Sequence, residues 1–128
     1  MLAAAELVGF LATRDPNRSR SFFVDTLGLE LVADDPFALV FDSNGTQVRV
    51  VKAAEFTPLP FTVMGWETGE LDETVSGLAA RGVAFERFPQ LEQDSMGVWN
   101  APGGTRIAWF KDPDGNLLSI AAPGQAST

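Results

Sequence analysis

The 128-residue chain contains neither histidine nor cysteine, and these two absences decide most of what its side chains can do. Histidine is the commonest general base at neutral pH and the commonest transition-metal ligand. Cysteine is the thiolate nucleophile and the usual ligand of structural zinc. What remains is carboxylates, cationic side chains, hydroxyls and aromatic rings. A serine nucleophile would need a lysine or an acid as its base, and Ser119, in the stretch KDPDGNLLSI, has no such neighbour in sequence. Gly103-Gly104-Thr105-Arg106 lacks a following Lys-Ser/Thr and sits before a strand, so it is not a phosphate loop. Asn44-Gly45-Thr46 has the form of a glycosylation acceptor but reads as a turn. The acid and the cation to be placed are Glu67 and Arg49.

The elements that must position these groups follow from local pattern. Asp15 and Pro16 open a helix as N-cap and first helical residue, Phe22, Phe23 and Leu27 give it an apolar face, and Gly28 can end it. A second helix fits GELDETVSGLAARG, where Leu71, Val75, Leu78 and Ala79 form one stripe, with acids in the first turn and Gly82 after the last. Strands are expected at 6–13, 29–33, 37–41, 46–52, 61–67, 84–88, 105–111 and 116–121. Strand, helix, three strands thus occurs twice, an internal repeat. Laying Phe37 to Val51 over Ile107 to Ala121 puts Asp42 over Asp112, Gly45 over Gly115 and Arg49 over Ser119. The halves differ where Pro89 to Gly104 is inserted. That loop carries Trp99, and two readings stand: a functional loop, or a mobile surface loop whose Trp fills a local gap.

Composition sets the outer limits. One domain over 1–128 is expected. Seventeen acidic against nine basic residues give a net charge of −8, which disfavours nucleic acid and anionic membranes as partners. No apolar run approaches membrane-spanning length, and MLAAAELVGFLA, lacking a basic leader and carrying Glu6, reads as a first strand. A cytoplasmic location is expected. Without cysteine the chain is indifferent to redox compartment.

The paired βαβββ modules, the Ser19 to Leu29 stretch SRSFFVDTLGL and the Phe110 to Asn116 stretch FKDPDGN resemble the vicinal oxygen chelate superfamily, the family of glyoxalase I, extradiol dioxygenases and bleomycin resistance proteins. The resemblance spans nearly the whole chain. It implies an α+β fold in which two modules, about 5–53 and about 60–122, form a curved mixed sheet with a concave cleft and helices on the outer face, and a two-fold homodimer. In the metal enzymes of that family the ligands are a His or Glu in each module's first strand and a Glu in each last strand. The matching positions here are Val8, Val63, Arg49 and Ser119, which offer no imidazole or carboxylate, and their immediate neighbours offer none either. No metal and no cofactor is expected.

Strand alternation then gives the cleft wall. Val48, Val50, Leu118 and Ile120 should pack beneath the helices. Gln47, Arg49, Val51, Leu117 and Ser119 should face the cleft, with Phe37, Leu39, Phe41, Ile107 and Trp109, and with Val8, Phe10, Ala12, Val63, Gly65 and Glu67 from the first strands. The ligand-binding set expected from this is Phe37, Leu39, Phe41, Gln47, Arg49, Val63, Glu67, Trp99, Trp109 and Ser119. An aromatic trough with few polar groups suits a small planar organic ligand. Three classes of function stand open: a metal-independent binding protein similar to the bleomycin-resistance branch, a metal-independent glyoxalase-like lyase or isomerase with Glu67 as base and Arg49 stabilising an anion, or an interaction module with an occluded cleft. Glu67 could equally pair with Arg49, anchor a cationic ligand, or be a solvated strand end.

Overall fold

A computed structural model describes residues 1–124. The chain divides into two compact units, Met1–Pro58 and a second beginning at Leu59. The first contains β1 (Val8–Thr13), α1 (Pro16–Ser21, continued by a π-helical turn Phe22–Thr26), β2 (Glu30–Asp34), β3 (Ala38–Ser43) and β4 (Thr46–Lys52). The second contains β5 (Met64–Glu67), α2 (Leu71–Ala80), β6 (Trp99–Asn100), β7 (Arg106–Lys111) and β8 (Leu117–Ala122). Each unit has its own four-stranded mixed sheet, ordered β1-β4-β3-β2 in one and β5-β8-β7-β6 in the other. The β1/β4 and β5/β8 pairs are parallel and the remaining pairs antiparallel. The fold is α+β with a repeated βαβββ plan.

The helix starts are dictated locally. The Asp15 carboxylate accepts from the Arg18 amide at 3.2 Å while Pro16, which has no amide proton to satisfy, holds the first helical position. Phe23 is driven inward from the π-helical turn and is fully buried. In α2, Leu71, Val75 and Leu78 are buried on one stripe, whereas Ala79 is exposed, a correction to the expected face. Asp72 in the first turn of α2 grips Arg106 of β7 through two bonds of 2.8 and 3.2 Å. This bond holds the Asp72 carboxyl below its ordinary range and raises Arg106.

Two expectations about the second sheet are corrected. Residues 84–88 form no full strand. Phe85 makes one bridge to Phe110, Glu86 N–H donates to the Trp109 carbonyl at 2.8 Å, and the chain then departs at Pro89. The rest of the β7 edge is taken by β6 from inside the long insertion, with Trp99 opposite Ile107 and Asn100 opposite Arg106. The first strand of that unit begins at Met64, three residues later than expected, although the Val63 amide still donates to Leu117 O at 3.0 Å.

The two hairpins also differ. Ser43 pairs with Thr46 across a two-residue turn, Asn44 at φ 48° and Gly45 at φ 89°, the left-handed pair that matches strand twist. In the second hairpin Lys111 pairs with Leu117, and the loop between is organised by Asp112. Its Oδ1 accepts from the Asp114 and Asn116 amides at 3.0 and 2.9 Å and its Oδ2 from Asn116 Nδ2 at 2.8 Å. Burial pushes the Asp112 carboxyl up, and the Asp114 charge adds to this, against the pull of the Asn116 bonds.

A raised native pKa means that the folded state holds this proton more tightly than the unfolded chain. The associated stabilisation is therefore complete below the ordinary carboxylate value and is lost as pH rises through the native one. Asp112→Asn should remove that component, so urea unfolding at pH 4 and pH 7 should find the variant gaining on the parent toward pH 7. Asp112→Ala strands two buried amides and should cost about 1–3 kcal/mol at either pH.

Candidate ligand-binding site

In the second sheet β7 alternates cleanly. Arg106, Ala108 and Phe110 point to the side of α2, Ala108 and Phe110 being fully buried. Ile107 and Trp109 point to the opposite, helix-free face. Register carries that face across the strands: Gly65, Ser119 and Trp109 form one row, and Glu67, Ala121, Ile107 and Trp99 the next. Val63 falls on the same face by alternation from Gly65.

Three aromatic rings meet there. Phe88 meets Trp109 edge-on at 5.2 Å and 85°, and the Trp99 ring lies 6.1 Å from Trp109 at 32°. Trp109 Nε1 donates to Thr62 Oγ1 at 3.1 Å. Because β8 lies between β7 and β5, the indole must reach across β8 to make this bond, which fixes both its plane and its direction. Beside it, a Cβ on Gly65 would collide with Ser119 Oγ, so the close approach of the Ser119 hydroxyl to the backbone requires glycine at that position. The result is a half-buried aromatic platform with hydroxyls from Thr62 and Ser119 alongside and the exposed carboxylate of Glu67 one row away. Surface depressions are lined by Arg18 and Phe22 at α1, by Arg14 and Phe56, and by Phe88 itself together with Arg87, Pro89 and Leu91 to Gln93.

In the first unit, Val48 and Val50 are buried while Gln47 and Arg49 lie on the other face, in rows with Val8 and Phe10 of β1. Arg49 is exposed and its Nε donates to Gln47 Oε1 at 2.9 Å. Phe10 is 61% exposed on that face.

Leu39 and Phe41 do not join them. Leu39 pairs with Val50 and Phe41 with Val48, so both point into the core, 1% and 0% exposed, with the Phe41 ring 5.2 Å from Phe23. Phe37, whose carbonyl accepts from Lys52 N–H, has the same alternation and is 78% exposed. The face opposite the helix receives Ala38 and Val40 instead, which pair with Val51 and Arg49. The cause is one residue of loop: Val40 and Arg49 pair nine positions apart, Trp109 and Ser119 ten. A one-residue slip in a strand moves every side chain to the other face.

Two contributors to the aromatic face, Phe88 and Thr62, are absent from the sequence-derived set. Phe88 falls at the end of the strand expected over 84–88, and the Pro89 that follows it is the one local sign that the chain turns there. Thr62 carries no pattern that marks it.

The repeated βαβββ plan is the architecture of a family of small α+β proteins. The chain belongs to the Glyoxalase/Bleomycin resistance protein/Dioxygenase superfamily, whose model matches residues 4–120. Among solved structures it is similar to TnmS3, an antibiotic binding protein from Streptomyces sp. CB03234, at 27% identity and a TM-score of 0.74, covering 97% of this chain and 99% of that one. It shares its fold with a lactoylglutathione lyase from Agrobacterium tumefaciens, at 19% identity and a TM-score of 0.70, with 95% and 96% covered. The Bacillus subtilis protein YraH is 25% identical over 125 residues, 86% of this chain and 91% of that protein.

The residues at the metal-ligand positions implied by the family lack the chemistry to hold an ion. Val8, Val63, Arg49 and Ser119 supply one hydroxyl and one fixed positive charge, and among the described residues no three His, Cys, Asp or Glu side chains are grouped to hold an ion. This donor set does not fit a divalent metal. Among the described residues no helix is long and apolar enough to cross a membrane.

Proposed function

We propose that the protein is a small-molecule-binding member of this superfamily that takes a planar organic ligand on the Phe88–Trp99–Trp109 face, independently of a metal. The observation that carries the reading is the Trp109 indole, pinned by Thr62 and flanked by two further rings. Such a surface is ordered before the ligand arrives, so stacking is not offset by the entropy of freezing a free indole. The likeness to an antibiotic binding protein at 27% identity supports the same class of ligand. Val63, Ser119 and Glu67 would border the ring. Gln47 and Arg49 lie on the face of the first unit's own sheet that is turned away from Val48 and Val50. Glu67 favours a positive group at one end of the molecule.

Lyase or isomerase chemistry with Glu67 as base and Arg49 as anion stabiliser has no specific geometry in its favour. Glu67 is exposed at the end of β5, and the Arg49 side chain is engaged by Gln47 on its own strand.

A panel of planar cationic, zwitterionic and anionic aromatics titrated against intrinsic Trp fluorescence tests the binding reading. Saturable quenching at micromolar ligand is expected, and a flat response to the whole panel would refute it. Thermal melts with Zn²⁺, Ni²⁺, Mn²⁺ or EDTA should leave Tm unchanged, because no donor set among the described residues rewards ion binding in the folded state. A stoichiometric metal that raises Tm would overturn metal independence. Assembly as a two-fold homodimer is proposed as well, and light scattering at micromolar concentration should return about twice the chain mass.

A further inference from the structure

The insertion between Pro89 and Gly104 is tied down by one side chain. Gln93 Nε2 donates to the carbonyls of Glu86 and Gly97, both at 2.8 Å, and its Oε1 accepts from the Phe88 amide at 2.8 Å. Both amide protons and the amide oxygen are thus used, and each partner is a main-chain group that carries or adjoins part of the aromatic face. Glu86 N–H is bound to the Trp109 carbonyl, Phe88 supplies the edge-on ring, and Gly97 lies two residues before Trp99. Gln93 also bridges Trp99 through the main chain.

Neighbouring bonds point the same way. Asp94 Oδ1 accepts from the Met96 and Val98 amides, both at 2.9 Å, and Arg87 reaches the Ser95 carbonyl at 2.9 Å. Gly97 at φ 92° lies so close to Phe85 that a Cβ would come 3.0 Å from that side chain. A segment poised to swing would not carry this density of internal bonds.

We infer that Gln93 is the positioning residue of the binding face: its three bonds set the spacing of Phe88, Trp99 and Trp109 before a ligand arrives, so the insertion is a preformed wall and not a lid. The ligand part of this inference rests on the binding reading above, while the positioning part is measurable on the protein alone.

The test uses the full chain in a Trp66→Phe background, which leaves Trp99 and Trp109 as the two indoles. Their exciton couplet in circular dichroism reports ring geometry, and hydrogen exchange reports the Phe88 amide. Gln93→Ala should abolish the couplet and speed Phe88 exchange at least about tenfold, the scale of one lost hydrogen bond, with β8 amides unchanged. Gln93→Glu guards against a merely unfolded variant. Its carboxylate would face two carbonyl oxygens at neutral pH, and only the protonated acid can donate to one of them, so the couplet should be lost and then restored on acidification.

Proflavine, a planar cation, is the kinetic probe. The parent should bind it in a single phase whose rate rises linearly with concentration. An unchanged couplet and unchanged Phe88 exchange in Gln93→Ala would overturn the positioning role, and a parent rate that saturates with proflavine would overturn the preformed wall. If the parent binds no planar probe at all, the ligand reading fails by itself, and the couplet and exchange data still decide what Gln93 does.

Discussion

Replacing Trp109 with Ala is expected to weaken a planar ligand by about 2 kcal/mol or more, roughly 30-fold, while Trp66→Ala leaves affinity within about threefold. The contrast follows from register. Trp109 is directly opposite Ser119 on the helix-free face, and its indole is held in place by Thr62 between Phe88 and Trp99. Trp66 is opposite Ile120 and stacks on Phe110 at 6.4 Å, on the side packed against α2. Losing Trp109 removes the central ring from the platform and also leaves two other rings without their neighbour, so the affinity loss should exceed one stacking contact of about 0.5–1.5 kcal/mol. Trp66→Ala should act on stability, since it opens space beside a fully buried Phe110. Calorimetric titration of both variants, each first shown by urea unfolding to be folded, separates the two. If Trp66→Ala is the more damaging to affinity, the ligand binds on the other side of the sheet and the platform is misassigned.

Much of this architecture is legible in the residues alone. Asp15-Pro16 marks a helix start because side-chain capping and the missing proline amide act within one turn. Asn44-Gly45 marks a two-residue hairpin because few other residues accept two successive left-handed conformations. The repeat is legible for the same reason, since each half reuses these local devices. The placement of Trp109, Ser119 and Trp66 also follows from simple alternation, because it needs no comparison between halves.

What escapes is whatever depends on non-local count or on a single bond. Aligning the hairpins on Asp42 and Asp112 matches two residues that do different work. Asp42 touches the Gly45 amide at 3.4 Å, whereas buried Asp112 closes a longer loop through three bonds. The extra residue is invisible in the turn signature, yet it inverts the strand that precedes it. The edge strand Trp99–Asn100 is missed because two residues carry no periodicity. Gln93 is missed because a glutamine in a loop is ordinary until its three partners are located.

The inversion makes the second large prediction. Phe41→Ala should destabilise the protein by about 3–5 kcal/mol, the range for deleting a buried aromatic ring, and Leu39→Ala by about 2–5 kcal/mol. Phe41 is fully buried opposite Val48, and its ring packs at 5.2 Å on Phe23, itself fully buried in the turn that ends α1 and in edge contact with Phe22 at 5.4 Å. Removing it leaves a cavity between the sheet and the helix that neither backbone can close, because α1 is held at its start by the Asp15 cap and β3 by ladders on both sides. Phe37→Ala, by contrast, should change stability by no more than about 0.5 kcal/mol, since that ring is 78% exposed and its backbone is fixed independently by Asp35, whose carboxylate accepts from the Phe37 and Ala38 amides at 2.7 and 2.9 Å. Urea unfolding of the three variants ranks them. A loss below about 1 kcal/mol for Phe41→Ala, joined to a loss of ligand affinity, would return Phe41 to the binding face and with it the alternation expected from the aligned hairpins.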